Sequence, residues 1–172
     1  RLRLTGGAGS GASGAGGGTT SGKQTFAPEF SGTFRGGEWV STTSDMAQGD
    51  IGGGLCHGAA LFGRALSSLG NITGGYLRSS RLSERPAGAQ IPTMRLLAES
   101  TWSTAYPTVL GTAPGPSLTV GQSDVWVIPQ AWLNQLETGA AGGLGIGITA
   151  SSPYVRLDGA GLRVTVAWTS TT

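Results

Sequence analysis

Hydrophobic and polar residues alternate along several short segments of the chain. In residues 162–169, LRVTVAWT, an apolar residue occupies every second position. In residues 143–149, GLGIGIT, glycine alternates with Leu144, Ile146 and Ile148. A period of two is typical of an antiparallel strand with one face buried. The pattern therefore predicts antiparallel strands in the last third of the chain.

Other segments rich in β-branched and aromatic residues, bounded by glycine and proline, also predict strands. They are residues 24–27, 32–40, 56–63, 72–83, 91–100, 123–129 and 152–159. We expect Phe34 and Trp39 to be packing residues, and SDVWVIP to be a buried strand that ends at Pro129. Pro92 indicates either an edge position or the beginning of its strand.

Alternation within residues 72–83 predicts which side chains share a face. Ile72 and Tyr76 have one parity, whereas Leu77 and Ser79 have the other. Residues 41–55 and 83–90 are rich in Ser, Asp, Gly and Pro without periodicity, so we expect a loop and a turn there. Residues 101–122 predict a long excursion with short extended pieces.

One short helix is predicted in PQAWLNQLETG. Pro129 can occupy the first turn, Trp132, Leu133 and Leu136 have helical spacing, and Gly139 offers a C-terminal stop. About eight strands and one short helix predict an all-β fold, an antiparallel two-sheet sandwich.

Composition and charge narrow the class of protein. The chain has 172 residues, of which 32 are glycine and only 12% are charged, a mixture that disfavours helical bundles. The net charge is +2 and the arginines are scattered, so we expect no nucleic-acid partner. No stretch reaches the roughly 20 apolar residues that span a bilayer, so we expect no membrane insertion. Cys56 is the only cysteine and has no partner within the chain for a disulfide.

A glycine-rich segment, GGAGSGASGAGGGTTSG, occupies residues 6–22. We expect residues 1–22 to form an arm or stalk segment and residues 23–172 to form the β-sandwich domain. Glycine allows close backbone approach, and ordered backbone groups need hydrogen-bond partners. We therefore expect the arm to be an assembly element held by neighbouring subunits. The alternative is a loop or coil held by its own domain.

Residues 124–168, DVWVIPQAWLNQLETGAAGGLGIGITASSPYVRLDGAGLRVTVAW, resemble the jelly-roll-like domain near the C-termini of minor tail proteins and tail fibres of phages that infect actinobacteria. The shared pattern is a strand, a proline-started helix, a GIGI-like strand, a PY loop and a closing strand ending in Trp. Residues 31–50 resemble the opening of that family, with Phe34 in place of a Tyr. The resemblance extends from Lys23 to Trp168.

This resemblance implies a non-enzymatic virion protein with a structural or host-contact role. It implies a homotrimer that contacts other virion proteins, is assembled in the bacterial cytoplasm and resides in the virion, and it allows recognition of a host cell-surface glycan. Two alternatives remain open. One is a capsid decoration or capsid-fibre protein, and the other is a carbohydrate-binding module of a secreted glycan hydrolase.

No catalytic residues, cofactor or metal site are expected from the sequence. His57 is the only histidine, and strand alternation would point it and Cys56 to opposite faces, which disfavours a Cys–His catalytic pair. Asp45, Gln48 and Asp50 could offer oxygen ligands to calcium, but we expect solvated loop carboxylates there.

Aromatic residues beside loops are the candidate contacts for a sugar ring. Four of them meet this description: Trp39, Trp102, Tyr106 and Tyr154. The alternative is that they pack against the rim of the sandwich. We expect Trp126 and Trp168 to lie in the core, and Trp132 to pack the helix onto a sheet.

Overall fold

The structure, a computed structural model, describes residues 18–40, 43–50, 52–82 and 88–171. Within these residues there are twelve strands, one α-helix and a short 3-10 helix at Leu66–Ser68. The strands are β1 (Thr19–Phe26), β2 (Phe30–Arg35), β3 (Glu38–Trp39), β4 (Met46–Gln48), β5 (Cys56–Leu61), β6 (Asn71–Ser80), β7 (Thr93–Leu97), β8 (Val109–Pro114), β9 (Ser123–Val127), β10 (Gly143–Gly147), β11 (Val155–Leu157) and β12 (Arg163–Thr171). The helix α1 spans Gln130–Thr138.

Eight of these strands pair in a nested order. Strand β1 pairs with β12, β5 with β10, β6 with β9 and β7 with β8, all antiparallel. Together with β2 and β3 they form a four-stranded sheet, β1-β12-β6-β9, and a six-stranded sheet, β3-β2-β5-β10-β7-β8. Nested pairing of eight strands in two sheets is a jelly roll. The predicted all-β antiparallel sandwich with one short helix is confirmed.

Both sheets and the helix contribute to the main apolar core. The four-stranded sheet supplies Ile72, Leu77, Val164 and Val166, and the six-stranded sheet supplies Ala60, Met94, Leu96, Leu144 and Ile146. Fully burying a Val, Leu, Ile or Met side chain contributes about 1.5–3 kcal/mol. The short strands β4 and β11 pair with each other, and β4 packs against β5 and β10.

The helix has the limits that its sequence predicts. It begins after Pro129 and ends at Gly139, which adopts the left-handed conformation with φ 75°. Trp132, Leu133 and Leu136 are buried, which confirms that this face packs onto the sandwich. No helix of the described residues is long and apolar enough to cross a membrane.

A β-bulge in β6 changes the faces predicted from alternation. Ala167 pairs with Gly74 whereas Trp168 pairs with Ile72, so Thr73 is the extra residue of the bulge. Ile72 is therefore buried in the core together with Leu77, and the predicted shared face of Ile72 and Tyr76 is wrong.

Two further segments differ from their predictions. The expected buried strand at residues 123–129 is an edge strand, β9, whose Val127 is 74% exposed because its side chain lies on the face of the sheet opposite the core. The expected loop at residues 41–55 contains β4, which pairs with β11. The excursion predicted to hold short extended pieces contains one, β8, which pairs with β7. Trp126, on the edge strand β9, and Trp168, towards the end of β12, are half-buried instead of lying in the core.

The expected boundary between arm and sandwich falls inside β1. Thr19 pairs with Thr171 and Gly22 with Trp168. A Cβ atom at Gly22 would lie 3.1 Å from the Trp168 ring, so glycine accommodates this cross-strand indole. Residues 1–17 of the expected arm lie outside the described residues.

Candidate binding site on the outer sheet face

Strand β10 presents only glycine residues on the outer face of the six-stranded sheet, and we call these residues the glycine floor. In β10, Leu144 and Ile146 face the core, so Gly143, Gly145 and Gly147 face outward. A Cβ atom at Gly145 would lie 3.0 Å from the Tyr106 hydroxyl oxygen. Because the floor has no side chains, side chains from neighbouring strands and loops lie directly across it.

Four aromatic side chains cover one part of this face, and we call them the aromatic cluster: Phe30, Phe34, Trp39 and Tyr106. The ring centroids of Phe30 and Trp39 are 4.8 Å apart, and those of Phe34 and Trp39 are 5.4 Å apart, both edge to face. This geometry is favoured by the quadrupoles of the rings. The cluster shields Ala59, Leu61 and Leu97 on the outer face from water.

The aromatic cluster holds the loop of residues 98–108, which joins β7 to β8. The Trp39 indole N–H donates to the Ser103 carbonyl at 2.7 Å, and the Tyr106 hydroxyl donates to the Gly58 carbonyl at 3.0 Å. Trp102, adjacent to Ser103, is 53% exposed. The loop is therefore tied to the sheet at two points that follow an exposed tryptophan.

Arg95 on β7 lies beside the aromatic cluster. Its Nε donates to the Gly147 carbonyl at 2.9 Å, and its Nη1 lies 3.2 Å from His57 Nδ1. Its Cζ is 5.8 Å from the centre of the Tyr106 ring. The glycine at position 147 makes room for this guanidinium, since a Cβ atom there would lie 2.5 Å from Cζ.

Burial and charge set the protonation of the groups around Arg95. Burial lowers the pKa of His57, and the charge of Arg95 lowers it further. The neutral ring accepts at Nδ1, so its proton is assigned to Nε2. Burial raises the pKa of Tyr106, although the charge of Arg95 opposes this effect. Both groups next to the guanidinium are therefore neutral at pH 7.

A cleft with several hydroxyl-bearing residues in its lining adjoins Arg95. It has a volume of about 360 Å³ and is lined by Arg95, by the backbone of Gly147 and by four hydroxyl side chains: Thr93, Thr112, Thr149 and Ser152. Thr112 on β8 is the cross-strand partner of Arg95. Small-molecule sites occupy about 300–1,000 Å³. The cleft is therefore large enough for a small polar ligand such as one or two sugar rings.

The structure brings together three of the four aromatic residues selected from the sequence. Trp39 and Tyr106 pack in the aromatic cluster, and Trp102 lies on the loop that this cluster holds. Tyr154 lies apart from them, 8% exposed, against Cys56 and Ala47. Their role in ligand contact stays a prediction.

Arg95 and the hydroxyl groups of the cleft were missed from the sequence. A signal was present, because Arg95 interrupts the apolar run TMRLL of a strand that is buried on both faces. An arginine in such a strand is seldom fully buried without a specific partner.

Cys56 and His57 point to opposite faces of β5, as strand alternation predicts. Cys56 is buried against Ala47 and Tyr154, whereas His57 lies on the outer face beside Tyr106. Burial raises the pKa of the Cys56 thiol. The two side chains therefore face different surroundings and do not form a pair.

The loop carboxylates considered for calcium bind protein groups. Asp45 accepts a hydrogen bond from Arg156 Nε at 2.9 Å. Asp50 Oδ1 accepts three backbone N–H groups, from residues 52, 53 and 54, at 2.7–3.1 Å. These hydrogen bonds lower the pKa of Asp50. Both carboxylates thus stabilise loops next to β4 and β5.

Comparison with known proteins finds no match for this chain, either among family models or among curated proteins. The chemistry of the cleft therefore rests on its own residues.

Proposed function

We propose that the chain is a non-enzymatic domain of a phage tail fibre or minor tail protein, and that its six-stranded sheet binds a glycan on the host-cell surface. The resemblance of residues 124–168 to that family supports the virion role, and the jelly-roll fold agrees with it. The observation that carries the glycan role is the hydroxyl-lined cleft, whose Arg95 contacts Tyr106 of the loop that exposes Trp102.

Sugars present two kinds of surface to a protein, and this sheet face offers a partner for each. Their hydroxyl groups exchange hydrogen bonds with side chains such as Thr93 and Thr112 of the cleft. Their C–H faces pack on aromatic rings, for which Trp102 is exposed. The hydrogen bonds that fix the loop of residues 98–108 reduce the entropy lost when a ligand binds.

The trimeric state belongs to the same proposal and rests on the resemblance and on the glycine-rich arm. A shallow cleft on one chain binds weakly, whereas three linked copies bind a repetitive surface with much higher avidity. The chain would then act in the virion, in contact with other virion proteins.

Binding of the fluorescently labelled protein to intact actinobacterial cells tests the glycan role. We expect saturable binding that is lost after periodate treatment of the cells, because periodate cleaves the vicinal diols of sugars. Trp102→Ala should weaken binding at least five-fold. Tyr76→Ala, which removes an exposed aromatic side chain from the four-stranded sheet, is the matched control and should bind as the unchanged protein does. Binding that survives periodate would contradict the proposal.

Light scattering tests the assembly. The full chain is compared with a chain that begins at Gly18 and so keeps β1 intact. We expect three times the mass of one chain, decreasing when residues 1–17 are removed. A trimer that does not bind cells would favour a capsid protein. A monomer that binds glycan would favour the second candidate that the cleft supports, a carbohydrate-binding module of a secreted hydrolase.

A further inference from the structure

Arg95 is a buried cation for which the described residues supply no anion. Only 9% of it is exposed, and it makes no ion pair with any described residue. Its hydrogen-bond partners are a backbone carbonyl and the neutral ring of His57, and its ring contact is the neutral phenol of Tyr106. Buried charges are normally paired, since removal from water is costly. An arginine in this setting lacks its counter-charge.

An anion could reach Arg95 through the cleft, because Arg95 is one of the residues that line it. The other lining residues are threonine, serine, glycine, alanine and isoleucine, so no carboxylate of the described residues lines the cleft beside the guanidinium. Hydrogen bonds from Nε and Nη1 fix the guanidinium over Gly147 before any ligand arrives. In surroundings of low dielectric, an unscreened charge attracts an anion more strongly than it would in water.

We propose that this cleft binds the oxyanion of an acidic glycan, a carboxylate or a phosphate, with Arg95 as the counter-charge. The proposal rests on the proposed function and names the chemical class of its ligand. The hydroxyl groups of Thr93 and Thr112 supply neutral donors to the same oxyanion. A neutral sugar, which lacks the charge, gains only the hydroxyl contacts.

Thr112 allows a test that leaves the buried arginine in place. It is exposed and is the cross-strand partner of Arg95, so Thr112→Glu places a carboxylate beside the guanidinium. Thr112→Gln has nearly the same size without the charge. Arg95→Gln removes the cation itself. Arg78→Gln removes an exposed arginine from the four-stranded sheet and is the control for net charge.

Each variant is titrated with D-glucuronate, D-glucose and inorganic phosphate by two-dimensional NMR, after thermal unfolding has shown that it is folded. We expect glucuronate or phosphate to bind at least ten-fold more tightly than glucose, with shifts at residues 93, 112 and 147–149. Thr112→Glu should bind the anion at least ten-fold more weakly than Thr112→Gln. Arg95→Gln should abolish anion binding, and Arg78→Gln should retain anion binding.

The outcomes separate this inference from the proposed function. Three results would overturn the proposal of an anionic ligand: equal binding of glucuronate and glucose, equal binding by the two Thr112 variants, or no binding of any probe. Periodate-sensitive binding to cells would still support the glycan role in that case. Anion binding without cell binding would support the cleft and count against host recognition. Preference for glucuronate indicates an acidic sugar, and preference for phosphate indicates a phosphate-bearing polymer.

Discussion

Replacing Gly147 by alanine tests whether the guanidinium of Arg95 lies across the glycine floor. An added Cβ atom would lie 2.5 Å from Arg95 Cζ and 2.7 Å from His57 Nδ1. Carbon atoms in ordinary contact are about 3.5–4.0 Å apart. The guanidinium must therefore move by about 1 Å or more, away from the Gly147 carbonyl and His57.

Two opposing contributions decide the sign of the effect on stability. Alanine in a strand gains about 0.5–1 kcal/mol over glycine, because the unfolded glycine chain has more freedom to lose. Each hydrogen bond of the charged guanidinium contributes about 1.5–3 kcal/mol. Loss of one such bond exceeds the gain, so we expect Gly147→Ala to destabilise the fold by about 1–2 kcal/mol. For a domain of this size that lowers Tm by roughly 2–4 °C per kcal/mol.

Urea unfolding followed by tryptophan fluorescence measures this change. The matched control is Gly74→Ala, also in a strand, where an added Cβ meets nothing within 4 Å and stability should rise by about 0.4–1 kcal/mol. In an Arg95→Gln background the contact with the guanidinium is gone and only that with His57 Nδ1 remains, so Gly147→Ala should cost less than it does beside arginine. If Gly147→Ala and Gly74→Ala have the same effect on stability, the proposed position of Arg95 is wrong.

Three further predictions concern other parts of the fold. The pKa of His57 is lower in the folded chain than in the unfolded chain, where it is about 6.5. The unfolded chain therefore binds more protons as the pH decreases from about 7, and stability should fall. Calorimetry should show that His57→Gln reduces this dependence of stability on pH. Gly58→Ala would place Cβ 2.6 Å from Met46 Cβ, beside backbone, and should lower stability by about 1–3 kcal/mol in urea unfolding. Gly139→Ala puts alanine at φ 75°, and thermal unfolding should show a loss of about 1–2 kcal/mol, whereas Gly139→Asn should retain more stability.

The helix and the principal strands were predictable because their signals are local. Pro129 and Gly139 limit the helix, and three apolar residues at helical spacing bury one face. The alternation in residues 162–169 agrees with β12, whose Val164 and Val166 are buried. Each of these features depends on neighbours within a few positions of the chain.

Features that depend on distant partners were not predictable in the same way. β4 has three residues and is a strand only because β11 pairs with it, more than 100 positions later. The extra residue Thr73 reverses the faces of β6, and only the register with β12 reveals it. The site has the same character, since Gly147 and His57 are 52 and 38 positions away from Arg95.

Residues of this sheet face differ in how clearly their substitution can report on binding. Arg95 and Tyr106 lie against the glycine floor, so changing either alters packing as well as any ligand contact. Trp102 and Thr112 are exposed, and surface substitutions away from special features usually change stability by less than about 0.5 kcal/mol. Loss of ligand binding without loss of stability is therefore most informative at these two positions. Because Trp102 projects from the loop and Thr112 lines the cleft, their separate effects would also show whether one ligand contacts both parts of the site.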